Sequence, residues 1–114
     1  MSHSHIEFIR HILEEAEFIL NNTSGINQQD FLQDAVLLRA TIRSLEIIGE
    51  ACKNVPEYLR QKYPEIYWKE MAGTRDKLIH HYFGIDYDIL WDIIKNEIPL
   101  MRINVEKLIE KENI

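Results

Sequence analysis

Read as apolar against polar positions, the chain shows a single period, that of the α-helix. Ile6, Ile9, Ile12 with Leu13, Ala16, and Ile19 with Leu20 recur at three- and four-residue steps, the spacing of one helix face. Asn21-Asn22-Thr23-Ser24-Gly25 then stops the stripe with turn-forming residues. A longer stripe of Phe31, Ala35, Leu38, Ile42, Leu45, Ile48, Cys52 and Val55 predicts a second, continuous helix. Pro56 ends it or opens the next segment. Residues 57–69 are aromatic, and Pro64 biases Tyr63 away from helical torsions, so a short helix and a connector are expected there. Another helix should begin between Trp68 and Thr74 and stop at Gly84. The last stripe is Leu90 with Trp91, Ile94, Ile98, Met101, Val105 and Leu108, with Asp86 or Asp88 as its N-cap. Pro99 should bend that helix or divide it in two. No segment alternates apolar and polar residues as a strand would. The pattern predicts an all-α protein, an up-and-down bundle of four main helices plus a short helix, in one domain over residues 1–114.

Composition narrows the class without naming a function. A chain of 114 residues can bury a core without staples. Its one cysteine, Cys52, excludes an internal disulfide framework and fits a reducing compartment. No apolar run approaches the ~20 residues that span a bilayer. Met1-Ser2-His3-Ser4-His5 lacks the basic start and apolar stretch of a signal peptide. The expectation is a cytoplasmic protein with no membrane partner. His3, His5 and His11 have no plausible zinc companions, because Cys52 lies inside an apolar stripe. The glycines are too scattered to cradle a phosphate. No cofactor and no metal site are expected.

The net charge of −6 argues against a general nucleic-acid binder, which carries a basic footprint. The charge is uneven, however. Residues 1–50 hold three Lys/Arg against eight Asp/Glu, and residues 86–114 hold four against seven. Between them, residues 53–77 hold six cations against four acids. That basic stretch leads directly into the residues that carry chemistry.

Those residues are Arg75-Asp76-Lys77-Leu78-Ile79-His80-His81-Tyr82, followed by Phe83-Gly84-Ile85-Asp86. Arginine is always cationic and can hold a phosphate bidentately. Histidine transfers protons near neutral pH. The two together could cleave a phosphodiester without a metal. On one ideal helix Arg75 and Tyr82 fall nearly in line, Asp76 and His80 share a face, and Arg75 and His80 stand ~140° apart. Long arginine reach, an irregular helix end or a second subunit would have to bring that pair onto one phosphate. Two plainer readings remain open: His80 and His81 as polar residues at a helix C-terminus, and Tyr82 as a half-buried aromatic with a bonded hydroxyl. Tyr67, Trp68, Phe83 and Trp91 read as core or interface rather than as a base-stacking platform.

The spacing of Arg75, His80 and Tyr82 resembles the signature of the HEPN superfamily in its HepT-like toxin branch. The likeness extends along the chain. Ile47-Ile48-Gly49-Glu50-Ala51 before Pro56, Trp68 through Asp76, His80 through Asp86, and Ile89 through Ile94 with Pro99 occur in the family's order. The resemblance implies an all-helical homodimer with ribonuclease activity, the toxin of a toxin–antitoxin pair. It implies a partner as well, a minimal nucleotidyltransferase antitoxin that attaches AMP to the motif tyrosine. Carried over by position, Arg75 and His80 are the catalytic pair and Tyr82 is the AMPylation site, while the residues themselves give Asp76 a supporting role, orienting His80 or fixing Arg75. Asp76 stands where the family often has Asn, and the neighbouring His81 leaves open which histidine acts. The competing function is a non-catalytic helical module that recruits or regulates a nucleotidyltransferase.

Overall fold

A computed structural model describes residues 4–80 and 84–114, with the backbone alone described for Arg75, Ile79 and His80. The first helix, α1 (His5–Thr23), is capped by Ser4, whose side chain accepts from the Glu7 N–H. It ends where Gly25 takes a φ of +77°, a torsion open to glycine at little cost. Asn27 caps α2 (Gln28–Gln33) by accepting from Asp30 N–H at 2.8 Å. Asp34 then caps α3 (Ala35–Asn54), accepting from Leu37 N–H at 3.0 Å. The helix expected to be continuous from Phe31 is therefore interrupted. The Asp34 carboxylate competes with the helical backbone for donors, which favours a new start at that position.

Pro56 opens α4 (Glu57–Lys62), and the expected connector follows it. Two short helices, α5 (Trp68–Ala72) and α6 (Thr74–Leu78), meet at Gly73. Bonds of helical spacing flank that junction, from Gly73 N–H to the Lys69 carbonyl and from Lys77 N–H to the Gly73 carbonyl. Ile79–His80 (β1) then pairs antiparallel with Gly84–Ile85 (β2), with Ile79 opposite Ile85 and His80 opposite Gly84. Asp86 caps α7 (Tyr87–Asp92), one of the two caps expected from the sequence, by accepting from Ile89 N–H at 3.0 Å. A π-helical turn, Ile93–Glu97, joins α7 to α8 (Ile98–Glu112).

The described residues are helical apart from this two-residue ladder and the connecting turns. Helix α1 packs against α3 and α8, and α5 packs against α3. One apolar cluster runs through them, from Ile9, Ile12, Ala16 and Ile19 of α1 to Met101, Val105 and Leu108 of α8. Trp68 is buried, with its indole N–H donating to the Tyr63 carbonyl at 2.9 Å. Trp91 lies with its ring 5.4 Å from that of Phe31. Tyr67, by contrast, is exposed. No described helix is long and apolar enough to cross a membrane.

Candidate active site

The motif straddles a change of secondary structure. Arg75 and Asp76 belong to α6, whereas His80 sits in β1, opposite Gly84. The sequence reading expected one helix through to Gly84, and the helix instead ends at Leu78. Its last carbonyl explains how. A continuing helix would give the Leu78 oxygen to residue 82, but the Asp86 N–H takes it at 2.8 Å. Ile79 is β-branched, has weak helix propensity and suits an extended chain. The ~140° separation of Arg75 and His80 therefore does not apply, nor does an i,i+4 pairing of Asp76 with His80. The backbone between Arg75 and His80 thus includes an irregular helix end, one of the three routes the sequence left open. His81 and Tyr82 lie outside the described residues.

The frame around the motif is well anchored. Thr74 is buried, and its hydroxyl donates to the Glu70 carbonyl at 3.2 Å. Leu78 is buried at the other end of α6. Asp86 donates through its N–H the bond that closes the hairpin, and its side chain caps α7 in the same turn. The helix it starts is tied across the molecule, because Gln28 donates to Asp88 at 2.8 Å. Asp76 itself is exposed.

Beside this frame lies a cleft of about 230 Å³, lined by Arg43, Glu46, Gly49, Glu50, Lys53 and Ala72. It exists because α3 and α5 approach closely at Gly49, where an added Cβ would stand only 2.8 Å from the Met71 carbonyl oxygen. Arg75 follows Ala72 by three residues, across the Gly73 junction between α5 and α6. A second cleft of about 200 Å³ shares Arg43, Glu46 and Glu50 and adds Phe8 and His11 of α1. The sequence reading gave His11 no weight and did not single out the α3 charges. A signal was present, because Arg39, Arg43, Glu46, Glu50 and Lys53 recur at steps of four and three. That polar seam runs the length of an otherwise apolar helix.

Cys52 has no part in this chemistry. Burial pushes its thiol up to about 12, against a smaller opposing effect of Arg60, and a thiol held neutral is a poor nucleophile. Among the described residues no group of three His, Cys, Asp or Glu side chains is arranged to hold a metal ion.

A helical frame carrying an arginine–histidine motif at a helix-to-hairpin junction defines a class that comparison makes specific. The family model described as "Ribonuclease HepT-like" matches residues 12–108. The chain belongs to the HepT-like ribonuclease family, the branch whose signature its motif resembles. A protein named "Putative RNase" from Caldanaerobacter subterraneus subsp. tengcongensis is 50% identical over 105 residues, covering 92% of this chain and 94% of that one. "Probable ribonuclease HepT" of Thermococcus cleftensis is 47% identical over 108 residues, covering 95% and 98%. Another protein named "Putative RNase", from Methanocaldococcus jannaschii, is 48% identical over 103 residues, covering 90% and 85%. No solved structure matches the chain.

Proposed function

We propose that this protein is a metal-independent endoribonuclease, the toxin of a toxin–antitoxin pair. The observation that carries the reading is the family match, which spans the whole motif and is shared with relatives named as ribonucleases. In the proposed reaction His80 takes the proton from a ribose 2′-hydroxyl. The freed oxygen attacks the adjacent phosphorus, the O2′–P bond forms, and the P–O5′ bond breaks. The departing 5′ oxygen receives a proton from the histidinium or from water, leaving a 2′,3′-cyclic phosphate and a 5′-hydroxyl. Arg75 stabilises the charge that builds on the phosphorus oxygens, and Asp76 orients one of the two. The change from helix to extended chain between the two residues supports a convergence that one straight helix would oppose.

The reading includes a cytoplasmic homodimer and control by a minimal nucleotidyltransferase that AMPylates Tyr82. The test is RNA cleavage by the purified protein in EDTA. Wild type should cleave, and His80→Ala should lose about 10²–10⁴-fold of the rate with an unchanged circular dichroism spectrum. Arg75→Ala should be inactive as well. Sedimentation should give a dimer at micromolar concentration. Cleavage abolished by EDTA and restored by magnesium would overturn the mechanism. A folded wild type that never cleaves RNA would leave the non-catalytic binding module as the better reading.

A further inference from the structure

One face of α3 presents a ridge of charged side chains to solvent, with Arg43, Glu50 and Lys53 exposed and Glu46 partly so. Arg43, Glu46, Glu50 and Lys53 lie within about 80° of arc on one helix, and its two ends are ~15 Å apart. Both clefts open onto that ridge, one toward α5 and one toward α1, and they share Arg43, Glu46 and Glu50. The cations stand at the two ends and the carboxylates between them. Lys53 lies 3.9 Å from Glu50, with both side chains mostly exposed. Such a pair contributes little, and a phosphate can replace the carboxylate at small cost. Gly49 brings the α5 wall close, and Ala72 of that wall stands three residues before Arg75 in the chain.

We infer that this ridge binds the stretch of single-stranded RNA next to the cleaved bond, as an extended nucleotide subsite. The inference rests on the ribonuclease reading and adds to it four residues outside the motif. Arg43 and Lys53 pair with backbone phosphates on either side of the nucleotides that lie between them. Glu46 and Glu50 accept hydrogen bonds from exocyclic amino groups of bases splayed across the helix, contacts open to protein groups in single strands. Uracil has no such amino group. The subsite therefore favours cytosine over uracil, and the central acids set sequence preference while limiting non-specific affinity. The arrangement also reconciles an acidic protein with a nucleic-acid substrate. Two local cations give a modest, salt-sensitive attraction, and the acids give selectivity.

The test uses the full chain and uncleavable probes, 2′-O-methyl oligo(C) and oligo(U) of about ten nucleotides. Wild type should bind oligo(C) several-fold more tightly than oligo(U). Arg43→Gln with Lys53→Gln should weaken binding to both by ten-fold or more, and should reduce the slope of log K against log salt by about 1–2. Glu46→Gln with Glu50→Gln should bind oligo(U) as well as oligo(C). Equal binding of the two probes by wild type, or variants indistinguishable from wild type, would overturn the subsite. Wild-type cleavage of unmodified RNA, measured in parallel, separates that failure from failure of the ribonuclease reading. A protein that cleaves but whose variants bind normally loses only the subsite.

Discussion

Gly49 and the Met71 carbonyl are so close that α3 and α5 leave no room for a methyl group between them. A Cβ at position 49 would lie 2.8 Å from that oxygen, which is backbone and cannot rotate away. Two effects oppose each other in Gly49→Ala. Alanine gains about 1 kcal/mol in helix propensity, and overpacking costs about 1–3 kcal/mol. With a backbone atom as the obstacle the second should win, so unfolding free energy should fall, by up to about 2 kcal/mol. Because α5 leads into α6, RNA cleavage should fall as well. A urea titration that finds the variant more stable would refute the account of this contact.

A polar latch joins the end of α4 to the end of α8, and it should give stability a recognisable pH dependence. The Tyr63 hydroxyl donates to Glu112, and Lys62 Nζ lies 2.8 Å from the same carboxylate oxygen. The bond to Glu112, and then burial, push Tyr63 from 10.0 up to about 12. Its contribution is complete below pH 10 and disappears as the pH rises toward 12, because the unfolded chain gives up its phenolic proton first. Glu112 is held below its ordinary 4.5, first by Lys62 and then by Tyr63. That contribution is present above 4.5 and fades as the pH falls through the lowered value. Tyr63→Phe should be less stable than wild type at neutral pH, and the gap should close above pH 10. Urea midpoints measured across the alkaline range check this; a constant gap would dissociate the latch from the titration.

Thr41 offers an opposite kind of change. It is fully buried on α3, and among the described residues its hydroxyl has no hydrogen-bond partner. An unsatisfied buried polar group costs about 1–3 kcal/mol. Valine keeps nearly the same shape without the hydroxyl, so Thr41→Val should stabilise the protein by about 1 kcal/mol and raise Tm by a few degrees. A lower Tm would mean that the hydroxyl has a partner in solution.

Control through Tyr82 can be tested separately from cleavage. In the proposed reaction the Tyr82 oxygen attacks the α-phosphorus of ATP on the partner nucleotidyltransferase. An O–P bond forms, pyrophosphate leaves, and the phenolic proton passes to the partner. The added phosphodiester would pair with the arginine that RNA needs, and the nucleoside would obstruct the cleft. Tyr82→Phe should fold, remain toxic and resist neutralisation when the partner is co-expressed. Intact mass should show AMP on wild type alone; equal modification of the Phe variant would move the switch to another residue.

Helix positions were legible in the sequence wherever burial repeats with the helical period. The α1 stripe through Ile9, Ile12, Ala16 and Ile19 is buried as read. The Asp34 break was missed because Phe31 keeps step with the stripe on the far side of it. The hairpin was missed because two residues per strand are too few to show an alternating pattern, and because its closing bond joins Leu78 to Asp86 across seven intervening positions. The motif is a local string and could be read directly. The α3 charges were visible as steps of four and three, but His11 could not be tied to them, because only tertiary packing places residues 8–11 beside residues 43–51.

The turn before Pro99 has a consequence for how this chain can change. Proline cannot donate to a helical ladder, and its ring crowds the carbonyl four residues back. Here the ladder widens just before it, with Ile98 N–H bonding five residues back to the Ile93 carbonyl. The wider turn also keeps Leu90, Ile94 and Ile98 buried together despite two successive four-residue steps, which a regular helix would carry ~80° apart. Pro99 and the extra residue of the turn are therefore expected to behave as an epistatic pair. Deleting Asn96 alone would leave the proline inside a tight helix, and replacing Pro99 alone would leave a wide turn without its cause. Losing both together restores an ordinary helix, so the double change should cost less than the two single ones combined. Related chains that lack the proline are expected to be one residue shorter at this point.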